Sequence, residues 1–331
     1  SAAWIASLLL SVFLATGTTG RDHLLLYLIP GVCCLPYVAE NYLLGQPNHL
    51  LLALMLAAFV CLRSGKDWGA GALVALASAL KAFPVLTIGY LIYRRRWKAT
   101  ISTLVFLILF LVVLPSPFRG IERNLQDLDT WTRGMLHYDA GSISQRQQRG
   151  FSWSNHSLIA VAHRLLRPVN AHRRKDTTLF VNVADLDFKY VNAAIVLTAL
   201  GVCLFYLICT PPHTERTSSS DALEYAMLLL LILIFTPLAF TYFFVWLLYP
   251  VVVGLHLVLT APPRSPQRIK GWLWFWTSIL LISFTIPVSA FRPLQAAGST
   301  LLACLLLFVG IGWKLRVGAR NRPSGGQAST P

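Results

Sequence analysis

The sequence predicts an all-α, polytopic transmembrane protein, because its composition is apolar and its charges lie between apolar runs. Of 331 residues, 56% are hydrophobic and only 12% are charged, whereas about a quarter of a soluble domain is charged. About 20 apolar helical residues cross a hydrocarbon core of about 30 Å, and several uncharged runs reach that length. The runs without Asp, Glu, Lys or Arg are 50–62, 101–115, 193–209, 226–259 and 294–313.

The hydrophobic segments form one predicted membrane domain, residues 1–313, followed by a basic cytoplasmic tail, 314–331, with a disordered Gly-, Ser- and Pro-rich end. The shorter segments indicate tilted, broken or re-entrant geometry. Ser1 opens inside an apolar stretch that lacks a basic signal-peptide start, so further residues are expected upstream. The segments are 1–16, 23–39, 47–62, 69–80 with 84–93, 99–115, 190–210, 223–240, 241–259, 272–290 and 294–313.

The formal net charge is +15, but its distribution argues against a nucleic-acid partner. Basic connections at 63–67, 94–98 and 261–271 separate apolar runs, where the positive-inside rule places cytoplasmic loops. The chain is expected to be a multi-pass protein of the cell membrane, namely the bacterial plasma membrane. The lipid bilayer is then one of its partners. All six cysteines lie in apolar segments without metal-ligand spacing, so no metal site is predicted from them.

The segment 69–93 is predicted to be a re-entrant helical hairpin. Both of its flanks are basic, so both are expected on the cytoplasmic side. Pro84 cannot donate a hydrogen bond within a helix and disfavours helix at Phe83. The tip, Lys81–Pro84, would point towards the external side; the alternative is a single kinked span.

The stretch 116–189 is the one large hydrophilic segment and is predicted to be an external loop. It holds eleven Lys or Arg against seven Asp or Glu, and a loop of this length is exempt from the positive-inside rule. Loops this long inside a compact protein are usually functional or disordered. The aromatic residues Trp131, Tyr138, Phe151 and Trp153 argue against plain disorder.

Four motifs stand out along the chain, and each one begins or interrupts an apolar segment. The first is Gly45-Gln46-Pro47-Asn48. The second is Lys81-Ala82-Phe83-Pro84, followed by Arg94-Arg95-Arg96-Trp97. The third is Ser154-Asn155-His156-Ser157-Leu158, with Arg164 further on. The fourth is Thr236-Pro237-Leu238-Ala239-Phe240, followed by Trp246-Leu247-Leu248.

In order and spacing, these motifs resemble glycosyltransferase family 87, over about residues 40–255. The resemblance implies a GT-C fold and the transfer of a sugar from a polyprenyl phosphate. It also implies a catalytic acid in a first external loop, which would precede Ser1. The family's fourth motif continues with Ser-Trp and nearby His residues, whereas this chain has Ala239-Phe240-Thr241-Tyr242.

Lys81 is the main candidate for binding the donor phosphate, since an ionised group at membrane depth is costly and usually functional. The alternative is a structural cation that pairs with backbone carbonyls at the helix break. Gln46 and Asn48 are candidate donor contacts that bind the sugar or orient Lys81. They also suit a helix start, because Pro and Asn favour that position.

Glu40 and His156 are the candidate catalytic groups. Transfer needs a group that takes the proton of the acceptor hydroxyl, and a carboxylate or an imidazole can do so. Glu40 could equally be a solvated residue at the membrane interface. His156 could be a bystander beside a helix cap formed by Ser154 or Asn155.

Three further residues are candidate substrate contacts. Asn155 would form part of the floor of the active site, although Asn155-His156-Ser157 is also a glycosylation sequon. Arg164 lies a little over two helical turns beyond His156, so the two could share one face of a helix. An interfacial helix over 156–167 would hold Arg164 near lipid phosphate. Tyr242 could stack on a sugar ring or anchor the chain at the interface.

Asp127-Leu128-Asp129 has the form of a DxD metal motif, but such pairs are common by chance and Asp129-Thr130 also suits a helix cap. No metal and no cofactor are expected, because a lipid phosphate is already a leaving group.

The predicted function is transfer of a sugar, most simply mannose, from a polyprenyl-phosphate donor to a glycolipid or glycan acceptor on the extracytoplasmic face. The alternatives are a transporter or flippase for a lipid-linked substrate, or a non-catalytic scaffold. Transporters often show an inverted repeat, and none is visible here.

Overall fold

The computed structural model describes residues 1–136, 150–172, 177–212, 216–286 and 288–320, and in this part of the chain the regular structure is helical. The helices are α1 (Ala2–Thr16), α2 (Leu24–Leu43), α3 (Asn48–Arg63), α4 (Asp67–Leu80), α5 (Thr87–Tyr93), α6 (Trp97–Ile108), α7 (Ser116–Arg119), α8 (Ile121–Leu136), α9 (Leu158–Leu166), α10 (Phe188–Cys209), α11 (Ser218–Phe235), α12 (Leu248–Leu259), α13 (Pro266–Ser283), α14 (Arg292–Ala296) and α15 (Ser299–Arg320). The all-α prediction is confirmed.

Within the described residues, six helical stretches are long and apolar enough to cross a membrane. Four shorter apolar helices accompany them. The predicted segment 272–290 corresponds to α13, which is not among the six. The six stretches are Arg21–Leu43, Trp97–Arg119, Phe188–Cys209, Ser218–Phe235, Thr241–Leu259 and Ser299–Gly318; the shorter helices are Ala2–Thr16, Asn48–Arg63, Asp67–Leu80 and Phe83–Tyr93.

The chain reverses direction after α4, as the charge pattern predicts. Lys81 ends α4 in an extended conformation, with φ −159° and ψ 127°. A short 3₁₀ turn, Phe83–Leu86, and α5 then lead the chain back. On its return, Arg96 lies 3.4 Å from the Asp67 carboxylate and 3.3 Å from the Leu62 carbonyl. Both basic flanks therefore meet at one end of the bundle, which we call the basic end, and a single kinked span is excluded.

Helix α6 packs closely against α4 and runs in the same direction. The Ser102 hydroxyl donates to the Trp68 carbonyl at 2.7 Å. A Cβ atom at Gly71 would lie 2.4 Å from the Ala99 carbonyl oxygen, so only glycine permits this approach. The outgoing arm of the hairpin is thus held against α6, and its tip lies at the end opposite the basic end.

The hydrophilic stretch 116–189 contributes helices at that opposite end. It contains α7, α8 and α9, and the chain between Gly150 and Ser157 packs under the connection that follows α11. The predicted tail, 314–331, begins inside α15, which continues to Arg320. The predicted disordered end lies outside the described residues.

Candidate active site

The ammonium of Lys81 is held by side chains from two other parts of the chain. It donates hydrogen bonds to Gln46 Oε1 at 2.8 Å and to Asn48 Oδ1 at 3.1 Å. The same nitrogen lies 4.1 Å from the ring centre of Phe243 and 4.9 Å from that of Tyr242. Aromatic faces attract a cation. The structure therefore places around Lys81 four residues that the sequence motifs singled out or adjoin.

A chain of buried amides fixes the position of this cation. Asn48 Nδ2 donates to Asn41 Oδ1 at 2.9 Å, and Asn41 Nδ2 donates to the Tyr242 carbonyl at 2.8 Å. Trp246 Nε1 donates to the Asn48 carbonyl at 3.1 Å. Sequence reasoning missed Asn41, because a single amide inside an apolar helix has no spacing signal; its place one residue after Glu40 was the available hint.

Lys81 opens onto a cavity of about 730 Å³. The tip of the hairpin, the connection after α11 and the helices α7 and α8 all contribute to its wall. Such a volume suits a sugar-sized ligand, since small-molecule sites span about 300–1,000 Å³. The polar lining residues are Ser78, Lys81, Arg119, Asn124, Asp127, Trp131, Thr236 and Tyr242.

A second cavity, of about 230 Å³, adjoins the first and is apolar. Leu86 and Phe235 line both cavities, so the two are neighbours. The second cavity runs between α5, α10 and α11, where Gly89, Tyr206 and Leu231 contribute to its wall. An apolar space thus adjoins the cavity of Lys81 close to the hairpin tip.

Asn155 shapes the connection that follows α11. Its Nδ2 atom donates to the Gly150 carbonyl at 2.8 Å and to the Pro237 carbonyl at 3.3 Å. Its Oδ1 atom accepts a hydrogen bond from the Ala239 amide at 3.0 Å. These bonds place the Pro237–Phe240 segment at the cavity wall. Asn155 itself is buried and does not line the cavity, so its predicted contact with substrate stays a prediction.

His156 is buried beside the same connection. Its amide donates to the Ala239 carbonyl at 2.8 Å, and its ring packs edge-on against Phe244. Burial, and secondarily the charge of Arg164, lower the pKa of His156 to about 3. The imidazole is therefore neutral at physiological pH. It is not among the residues that line the cavity, and its predicted catalytic role stays a prediction.

Arg164 on α9 is fully buried and binds backbone carbonyls. Its Nε atom donates to the Ala296 carbonyl at 2.7 Å, and Nη1 donates to the carbonyls of Ser152 at 2.6 Å and Asn155 at 2.8 Å. These contacts join α9, the 150–157 segment and α14. They describe a structural cross-link, whereas the predicted contact with lipid phosphate stays a prediction.

The remaining carboxylates take different positions. Glu40 is half-buried on α2 and is not among the lining residues of the cavity. The two members of the DxD pair point apart: Asp127 lines the cavity 3.6 Å from Arg119, whereas Asp129 pairs with Arg133 at 2.8 Å. This geometry does not bring the two carboxylates to one point.

A buried ion pair at the basic end was not predicted from the sequence. Arg94, at the end of α5, pairs through two nitrogens with Glu224 on α11, and it donates to the Pro211 carbonyl at 2.8 Å. Glu224 is fully buried and Arg94 is 3% exposed. Next to them, Arg216 pairs with Asp221 at 2.7 Å. The pair ties the returning arm of the hairpin to α11, and both elements also bound the cavity.

This fold defines an all-α, polytopic membrane protein, and Lys81 places a cation in the wall of its larger cavity. The chain belongs to glycosyltransferase family 87, whose sequence profile matches residues 1–237. Comparison with curated proteins and with solved structures gave no significant match. The protein is therefore a membrane glycosyltransferase, and the transporter and flippase alternatives are set aside.

Proposed function

We propose that the protein transfers mannose from a polyprenyl phosphate to a glycolipid or glycan acceptor on the extracytoplasmic face. The observation that supports this most strongly is the position of Lys81, in the wall of a sugar-sized cavity that has an apolar cavity beside it. A polyprenyl-phosphate sugar has parts that match these features, because an apolar tail, a phosphate and a sugar follow one another in it. Mannose is the sugar to test first, since the family that the motifs resemble comprises mannosyl- and arabinosyltransferases.

The chemistry proposed for Lys81 is electrostatic. The acceptor oxygen attacks the anomeric carbon, the bond from that carbon to the phosphate oxygen breaks, and polyprenyl phosphate leaves with the electron pair. A preorganised ammonium close to that oxygen stabilises the charge that develops on it. Gln46 and Asn48 would hold the ammonium in place. The acceptor hydroxyl proton passes to a base, for which Glu40 and His156 stay predictions.

The charge pattern supports the extracytoplasmic placement. The connections at the basic end are short and rich in Lys and Arg, which is typical of cytoplasmic loops. The hairpin tip, Gln46 and α8 lie at the other end of the bundle. The donor would therefore be used on the outer face, where its tail remains in the bilayer and its headgroup reaches the cavity.

The test is a transfer assay with the full chain in lipid nanodiscs and polyprenyl-phosphate [¹⁴C]mannose. We expect labelled acceptor and free polyprenyl phosphate in equal amounts. Transfer from a nucleotide-linked mannose alone would overturn the lipid donor, and transfer of another polyprenyl-linked sugar in its place would overturn mannose. Transfer in sealed right-side-out vesicles with externally added acceptor tests the face.

A further inference from the structure

The cavity has a second polar wall, which the donor chemistry does not use. We call it the α8 wall, and it consists of Arg119, Asn124, Asp127, Leu128 and Trp131. The last four are spaced i, i+3, i+4 and i+7, so they share one face of α8. Asp129, two residues beyond Asp127, is turned away and pairs with Arg133.

The orientation of the α8 wall is fixed by the chain on either side of Gly120. The Asn124 side chain is 3% exposed and donates to the Leu111 carbonyl at 2.8 Å. Gly120, between α7 and α8, has φ 78°, a conformation that favours glycine. One face of α8 is thereby held towards the cavity.

The exposed groups on this wall match a carbohydrate. Trp131 is 48% exposed although it lines the cavity, so a flat aromatic face is accessible there. Such a face packs against the C–H side of a sugar ring. Asp127 carries the one carboxylate among the described lining residues, and carboxylates accept strong hydrogen bonds from hydroxyl groups. Arg119, 3.6 Å away, adds a donor.

We propose that the α8 wall binds the sugar headgroup of the acceptor, a hydroxyl-rich glycoside, with Trp131 against the ring and Asp127 accepting hydrogen bonds from ring hydroxyls. This rests on the proposed function for the identity of the reaction. Two substrates have to meet in one cavity, and Lys81 and the α8 wall give that cavity two chemically different sides. Acceptor specificity is then set by α8, whereas Lys81 acts on the donor.

The test uses the full chain in nanodiscs, with polyprenyl-phosphate mannose as donor and octyl α-mannoside, below its micellar concentration, as acceptor probe. Trp131→Ala should raise the acceptor KM about tenfold, since an aromatic contact contributes up to about 1.5 kcal/mol. The donor KM should stay unchanged. Trp131→Phe retains an aromatic face and should recover most of the affinity.

Asp127 and Asp129 form a matched pair on the same helix. Asp127→Asn should raise the acceptor KM, while Asp129→Asn should leave it unchanged, because Asp129 does not line the cavity. Thermal unfolding of each variant shows whether α8 remains in place. An equal effect of the two substitutions, or a fall in kcat at unchanged acceptor KM for Asp127→Asn, would overturn the binding role.

Binding of octyl α-mannoside without donor separates this proposal from the proposed function. If the wild type binds the probe through Trp131 but transfers no mannose, the acceptor wall stands and the donor assignment fails. If the wild type transfers mannose and the Trp131 and Asp127 variants keep wild-type acceptor KM and binding, the wall is wrong and the function stands. Absence of both binding and transfer overturns both.

Discussion

The ammonium of Lys81 lies 2.8 Å from the side-chain oxygen of Gln46, although the two residues are 35 positions apart in the chain. This contact joins the start of α3 to the break after α4, so two of the sequence motifs form one cluster. A cation held by neutral oxygens and aromatic rings keeps its net charge available to an anionic ligand.

Lys81→Ala should lower kcat/KM for the donor about 100-fold, the range seen when one preorganised donor to a developing charge is removed. The measurement is initial-rate kinetics with the radiolabelled donor. Lys66→Ala is the matched control, because Lys66 is exposed at the basic end. Turnover of Lys81→Ala close to that of the control would contradict the role of Lys81.

Gln46→Ala and Asn48→Ala should differ in their effect on the fold. Gln46 is half-buried and bonds to Lys81, so its loss should cost activity about tenfold at an unchanged melting temperature. Asn48 is buried and also donates to Asn41, so its loss should destabilise the fold by about 1–3 kcal/mol as well. The measurements are thermal unfolding and donor kinetics on both variants. Equal melting temperatures would argue against a stabilising role of the buried amide chain.

His156 should make the protein sensitive to acid. Burial and the charge of Arg164 lower its pKa to about 3 in the folded chain, below the value of about 6.5 in an unfolded chain. The unfolded state therefore binds the proton first. Stability from the neutral ring is complete above about pH 6.5 and falls by about 1.4 kcal/mol per pH unit towards pH 3.

The comparison is the melting temperature of wild type and His156→Phe between pH 7 and pH 5. The wild type should lose more stability on acidification than the variant. The pH–rate profiles of the two should have the same shape between pH 5.5 and 7.5. An inflection near pH 6.5 that disappears in His156→Phe would instead assign proton transfer to this histidine.

Arg164→Met should lower the free energy of unfolding by about 3 kcal/mol at the end of the bundle opposite the basic end. The substitution leaves several buried carbonyls without their donor. The expected observations are a lower melting temperature and faster proteolysis within 150–166. Arg167→Met, at the residue that follows α9, is the control. A variant with normal stability and a selectively raised donor KM would favour the predicted phosphate contact.

Arg94→Met and Glu224→Met should each cost about 3–5 kcal/mol, because each leaves one buried charge unpaired. The double variant should recover much of this loss, since it removes both charges. Denaturation of the four proteins in mild detergent forms a double-mutant cycle. If the double variant is as unstable as the sum of the single variants, the pair is not the source of the cost.

The position of the hairpin could be predicted from the sequence, because charge at both flanks and Pro84 in the middle leave few arrangements in a bilayer. The cluster around Lys81 was predicted in part, through Gln46, Asn48 and Tyr242. Asn41 was missed, since a buried amide has no signature until its partners are known. Likewise, only the fold separates Asp127, on the cavity wall, from Asp129, beside Arg133.

Sequence alone determined which segments are apolar, which connections are basic and hence at which end of the bundle each motif lies. A bilayer imposes one coordinate on each residue, which is its depth. Hydropathy and charge along the chain are sufficient to specify that depth. The tertiary structure decided which side chains are neighbours. That Arg164 binds carbonyls, that Arg94 meets Glu224 and that Asp127 faces the cavity depend on helix rotation and lateral packing between distant residues, which no local pattern encodes.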